Sequence, residues 1–201
     1  MKFTQLPTNT FSKIQLNAGI LLSSFDPSQP TVTAANIIGA TTGGINFSDA
    51  IEYQDFGDDI DNCPKNTKEL KKVVGRTVTM SGTFVTADTS VAKKLIAHAD
   101  IASNKVTPRD IVNGADFSDI WWVGDYSDVN EDSGTGQTAT TAGFMAIKLI
   151  NALNTGGFQV QTTDRGKGNF AFSFTGHYST SNIAIVPYEV YVTAGTAPST
   201  T

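Results

Sequence analysis

Arg76-Thr77-Val78-Thr79-Met80-Ser81-Gly82-Thr83-Phe84 alternates without a break. Val78, Met80, Gly82 and Phe84 share one side, and Thr77, Thr79, Ser81 and Thr83 share the other. Successive side chains of an extended chain point to opposite faces, so this period of two, carried over residues 74–86, specifies a strand with one buried face. A second stretch repeats the pattern. Phe170, Phe172 and Phe174 form an apolar face, while Asn169, Ala171, Ser173 and Thr175 form a small, uncharged one. With 18 glycines and 7 prolines to supply turns, the chain reads as mainly β, a sandwich or barrel of about seven or eight strands.

Working outward, residues 14–22 read as a first strand, with Ile14, Leu16, Ala18, Ile20 and Leu22 on one face, ended by Asp26-Pro27-Ser28-Gln29-Pro30. Residues 36–47 read as a second strand, in which Gly43-Gly44 suggests a bulge or a close backbone approach. Asp88-Thr89-Ser90 offers capping groups, and Val91, Leu95, Ile96 and Ala99 recur at helical spacing, which predicts one helix over residues 88–99. Residues 105–109 and 120–124 read as short strands. Residues 143–153 read as a strand with Met145, Ile147, Leu149 and Leu153 inward, a helix being the rival. A hairpin is expected between residues 158–163 and 168–178, around Asp164-Arg165-Gly166-Lys167, and a last strand over residues 185–192. Residues 1–10 form an N-terminal arm, residues 11–193 a single domain with an exposed loop at 125–141, and residues 194–201 a polar tail.

Residues 48–70 have a different character. They carry Glu52, Asp55, Asp58, Asp59 and Asp61, yet also Ile51, Tyr53, Phe56 and Ile60. A connection this long without regular structure is usually functional or disordered, and its aromatic and aliphatic residues argue against permanent disorder. The expectation is a long loop that orders against a partner.

The 201 residues carry a formal net charge of -5, with 16% charged and 39% hydrophobic. A charge content below the average domain's suits a surface covered by neighbouring subunits. The negative balance argues against a protein that grips nucleic acid through its phosphates, though not against nearness to DNA. Cys63 is the only cysteine, so an intrachain disulfide and a thiolate metal cluster are both excluded. No segment has the length of a signal peptide core or a membrane span, so a soluble protein made in the cytoplasm is expected.

Sharper chemical readings find little support. Asp59-x-Asp61 offers oxygen ligands but lacks the ligand series and terminal Glu of an EF-hand loop. Trp121-Trp122 suggests a carbohydrate platform, but neighbouring strand residues face opposite sides, so one ring in the core and one at a seam is expected. His98, His177 and Cys63 lack an orienting group and an oxyanion site. Gly166-Lys167-Gly168 lacks the spacing of a phosphate-binding loop. No enzyme activity, cofactor or metal is expected.

Several stretches, in order from residue 11 to 192, together resemble the major tail (tube) proteins of siphophages, bacteriophages with long, non-contractile tails. They are Asn17-Ala18-Gly19-Ile20-Leu21-Leu22 with Phe25-Asp26-Pro27, Ala40-Thr41-Thr42-Gly43-Gly44, and Asp55-Phe56-Gly57-Asp58-Asp59-Ile60-Asp61-Asn62-Cys63-Pro64 with Asn66-Thr67-Lys68-Glu69-Leu70-Lys71. Then follow Thr107-Pro108-Arg109, Asp116-Phe117-Ser118-Asp119-Ile120-Trp121-Trp122-Val123-Gly124-Asp125, Ala152-Leu153-Asn154-Thr155-Gly156-Gly157-Phe158, Gly166-Lys167-Gly168, Gly176-His177 and Val186-Pro187-Tyr188-Glu189-Val190-Tyr191-Val192.

The resemblance implies a β-sandwich with a flanking helix, assembled as six-subunit rings stacked into a hollow virion tube through which double-stranded DNA passes without specific binding. It also implies tape-measure, tail terminator and distal tail proteins as partners, and no membrane. Ile51, Tyr53, Phe56, Asp58, Asp59, Ile60, Asp61 and Trp122 are then candidates for subunit contacts. Thr77, Thr79, Ser81, Thr83, Asn169, Ser173 and Thr175 are candidates for a lumen or interface face. The competing expectation is a surface β-sandwich module that shows Trp122, Tyr126 and the acidic loop to a glycan.

Overall fold

A computed structural model describes residues 10, 13–15, 17–126 and 143–193. The expected C-terminal tail, the N-terminal arm apart from Thr10, and the 125–141 loop beyond Tyr126 lie outside the described residues. Among these residues nine strands and one α-helix follow in chain order: β1 (Ile20–Leu22), β2 (Thr41–Asp55), β3 (Lys71–Phe84), α1 (Thr89–Ile96), β4 (Ala99–Ala102), β5 (Lys105–Pro108), β6 (Ser118–Asp125), β7 (Phe144–Asn154), β8 (Phe170–Gly176) and β9 (Tyr188–Thr193). The protein is mainly β, with antiparallel pairing and one flanking helix.

Two layers share one strand. The first half of β7 pairs with β6 on one side and β9 on the other, and β6 continues to β1. The last residues of β7, Leu153 and Asn154, pair instead with β8, which continues to β3 and β2. Between the two halves Asn151 takes a positive φ of 49°, and a register shift falls opposite it in β6. Asn151 N–H donates to Asp119 Oδ1 at 3.1 Å and its side-chain amide to the His177 carbonyl at 3.2 Å. Asparagine tolerates this backbone region better than most residues, and here it turns one strand from layer to layer. A small sheet of β4 and β5 stands apart.

The main core contains Leu21, Val78, Met80, Phe84, Ile120, Ile147, Leu149, Phe172 and Phe174, closed on one side by Val91 and Leu95 of α1. The alternation in β3 and β8 therefore buries the faces the sequence indicates. A second cluster, Leu22, Phe25, Trp121, Val123, Phe144 and Ala146, covers the other face of the β1–β6–β7 layer. Phe25 meets Trp121 and Phe144 edge-on, at ring separations of 5.7 and 5.5 Å. Because β6 and β7 are covered on both faces, their alternation is blurred. Residues 143–153 form a strand all the same, not the rival helix.

Several expectations need correction. Residues 48–55 are not loop; they are the second half of β2, paired with β3 down to Asp55 opposite Lys71. The Gly43-Gly44 bulge is present, with both glycines at positive φ and a register shift between Thr42 and Asn46. The first strand shortens to three residues, and Leu21, not Ile20 or Leu22, enters the main core. The helix stops at Ile96 because Ala97 turns to φ 75° while its N–H still donates to the Lys93 carbonyl; Ala99 already belongs to β4. The hairpin at 158–178 reduces to one bridge, in which Gln161 and Asn169 exchange backbone hydrogen bonds at 2.8 Å.

Candidate assembly surfaces

Two features stand out from the body. The first is a polar sheet face. Register places Thr42 beside Thr83, Asn46 beside Ser81, Ser48 beside Thr79 and Ala50 beside Thr77. On the other flank, Thr83 lies beside Ala171, Ser81 beside Ser173 and Thr79 beside Thr175. The Thr175 hydroxyl reaches Thr155 Oγ1 at 2.7 Å. The structure thus joins Thr77, Thr79, Ser81 and Thr83 of β3 with Ser173 and Thr175 of β8 and with Thr42, Asn46, Ser48 and Ala50 of β2 into one carpet across three strands, none of these side chains ionisable. Asn169 lies just before β8, in a shallow hollow with Thr42, Gly43, Thr83 and Ala171.

The second feature is an arm. Pairing of β3 with β8 ends at Val78 opposite Gly176, whereas pairing with β2 runs on to Lys71. At about 3.3 Å per residue, residues 71–77 carry a two-stranded ribbon roughly 20 Å past the sheet. Along it Tyr53 is 55% exposed, Val73 44%, Val74 55%, and at the tip Phe56 51% and Ile60 55%. A lone two-stranded ribbon is marginal in water, and apolar side chains grouped in the open mark contact sites.

The tip, residues 56–70, is compactly bonded. The Asp55 carboxylate accepts from Gly57 N–H at 3.0 Å and Asn66 N–H at 2.7 Å. Those two bonds, with smaller help from Lys71 and Lys65, hold its carboxyl below the usual aspartate range. Asn62 and Asn66 take positive φ, and Gly57 is packed so closely that a Cβ there would sit 2.9 Å from Cys63 Sγ and from Leu70 Cδ1. Asp55 is therefore a clasp. Asp58, Asp59 and Asp61 stand exposed on the first limb, with no hydrogen bond or ion pair among the described residues. Lys65, Lys68, Lys71 and Lys72 lie on the returning limb.

At its root the arm is tied to the body. Arg76 Nη1 meets Asp49 Oδ2 at 2.7 Å, and the Tyr188 hydroxyl donates to the same oxygen at 2.9 Å. That bond to Asp49, followed by burial, pushes the Tyr188 phenol up. Ile51, opposite Arg76, is half-buried at this root. The proposed contact residues therefore separate: Tyr53, Phe56, Asp58, Asp59, Ile60 and Asp61 project, Ile51 is a root residue, and Trp122 belongs elsewhere.

Trp122 is held by its own chain. Its indole N–H donates to the Ala18 carbonyl at 2.9 Å, and it lies against Gly19, where a Cβ would collide with the ring. Trp121 is in the second core cluster. Neither ring offers an open platform for a sugar.

A pocket of about 200 Å³ opens between α1, β6 and β7. Sequence reasoning missed its central group, Lys94, which follows Val91 by three residues on the buried face of α1; that spacing was the available signal. Lys94 Nζ donates to Ser118 Oγ at 3.2 Å. Burial foremost, and then the neighbouring Lys93, pull the Lys94 ammonium down.

Among the described residues no group of three or more His, Cys, Asp or Glu is placed to hold a metal, and no helix is long and apolar enough to cross a membrane. His177 Nδ1 lies 3.0 Å from the Asn151 carbonyl, and Cys63 bonds only weakly within the tip, so these two do not meet. No protein-family model matches the chain, and no curated protein matches it at a significant level.

Proposed function

We propose that the chain is the repeating subunit of a hollow tube, the tail tube of a long-tailed bacteriophage, built of stacked rings. The observation that carries the reading is the arm, a ribbon whose apolar side chains stand in the open among the described residues and would gain cover by docking on another molecule. A head-to-tail contact about an axis closes a ring, and a second along the axis stacks rings. Among the described residues the outer border of β2 leaves strand groups unpaired, and such a border joins neighbouring sheets readily.

The uncharged carpet on β2, β3 and β8 suits a bore. A duplex carries one negative charge per about 1.7 Å of axis, and fixed cations facing it would hold it. Hydroxyl, amide and methyl groups leave it free to slide. In this reading the carpet lines the bore or the seam between subunits, and tape-measure, terminator and distal tail proteins cap or fill the tube.

Electron microscopy of the purified chain tests the proposal. Rings or hollow filaments are expected as concentration rises. A species that sediments as a monomer at every concentration, also in the presence of a tail initiation complex, would refute it.

A further inference from the structure

Lys94 is a half-buried cation without an anion among the described residues. Arg76 is paired with Asp49, Arg109 with Asp100 and Asp116, and Lys148 with Asp119. Among the described residues Lys94 has only the Ser118 hydroxyl. Exposed lysines are solvated by water and need no partner, but a lysine withdrawn into a pocket loses that solvation, and a carboxylate restores it. Lys93 on the same wall adds positive charge. Asp116, also in the wall, is not available: its oxygens are taken by Arg109 Nη2 at 2.6 Å and Asn113 N–H at 2.8 Å.

The reciprocal surface is at the far end of the molecule. Among the described residues Asp58, Asp59 and Asp61 stand unpaired beside Ile60 and Phe56 on the arm tip, and the pocket has an apolar floor that includes Phe174. Phe174 pairs with Met80 in β3. Lys71, where the arm joins its tip, is nine residues further along the same strand, or about 30 Å. A tip cannot reach the pocket of its own chain.

We infer that the Lys93/Lys94 pocket receives the acidic limb of the arm tip from a second copy of this chain, a carboxylate of the Asp58–Asp61 turn pairing with Lys94. This rests on the tube reading and adds to it the surface on which the arm lands. The donor and acceptor surfaces differ, so the contact is head-to-tail, and directed along the tube axis it continues from ring to ring.

Charge reversal tests it. Lys94→Glu, or Asp58→Lys with Asp59→Lys, is expected to raise the protein concentration needed for tube growth at least about tenfold. Combining the reversals is expected to bring it back to within about threefold of the unmodified chain. The tip changes lie on exposed side chains, so a loss there is not a folding defect. If Lys94→Glu does not fold, Lys94→Gln replaces it. Combined with the tip variant, it must then weaken growth no further than the worse single variant. Growth of either variant at the unmodified concentration, or failure of the combination to recover, overturns the pairing while the tube reading stands. An unmodified chain that never forms rings or tubes overturns both.

Discussion

At the root of the arm, three side chains hold a ribbon to a sandwich. The Arg76–Asp49 pair is largely shielded, with 18% and 14% of the side-chain surfaces open, and Asp49 Oδ1 is buried without a partner. Arg76→Met strips Asp49 of its cation and leaves Tyr188 as its one donor. A cost of about 2–3 kcal/mol is expected in urea unfolding, part of it recovered when Asp49→Leu is added. The Tyr188 phenol is pushed up, so its contribution is fully present below pH 10.0, the ordinary value, and is lost as pH rises through the higher folded value. Asp55 works in the opposite sense. Its carboxyl is held below 3.8, so the tip keeps its full order above that pH and loosens as pH falls through the folded value. Amide exchange at Gly57 and Asn66 reports this directly. Asp55→Ala should speed exchange at neutral pH and remove the acid dependence; unchanged exchange would contradict the clasp.

At the scale of elements, the arm and the carpet carry separate predictions. Phe56→Ser removes an exposed aromatic ring and should leave unfolding within about 0.5 kcal/mol of the unmodified chain while abolishing tubes. Normal tubes in that variant would count against the arm as the joining element. What could be read in advance follows from burial. β3 and β8 were legible because one face of each is apolar and buried, which writes a period of two into Val78–Phe84 and Phe170–Phe174. The outer half of β2 was not. A ribbon exposed on both faces has no core to impose alternation, so Glu52, Tyr53, Gln54 and Asp55 resemble a loop until their pairing partners are known. The early end of α1 was hidden for another reason, because nothing in Ala97 announces φ 75°. Lys94 was overlooked because a helical lysine is ordinarily solvated; only the cavity reveals otherwise.

At the scale of the whole molecule, the described residues place an unpaired strand border, a projecting arm and a hydroxyl-rich face on one sheet, β2–β3–β8. For the tube proposed above, that arrangement would suit a subunit that joins copies of itself while its hydroxyl and amide carpet presents no cation to a passing duplex. Converting Thr79 and Ser173 to lysine should leave the monomer folded, since both side chains point away from the core. If the carpet faces the bore, tubes made with these lysines should retain DNA in a salt-dependent way that unmodified tubes do not; tubes indifferent to the change would place the face elsewhere. The most direct test is a helical reconstruction of the assembled filament by electron cryomicroscopy. The account predicts a hollow filament with Thr79, Ser81, Ser173 and Thr175 on the inner wall or sealed at subunit contacts. A filament with these residues on its outer, solvent-facing wall would contradict it.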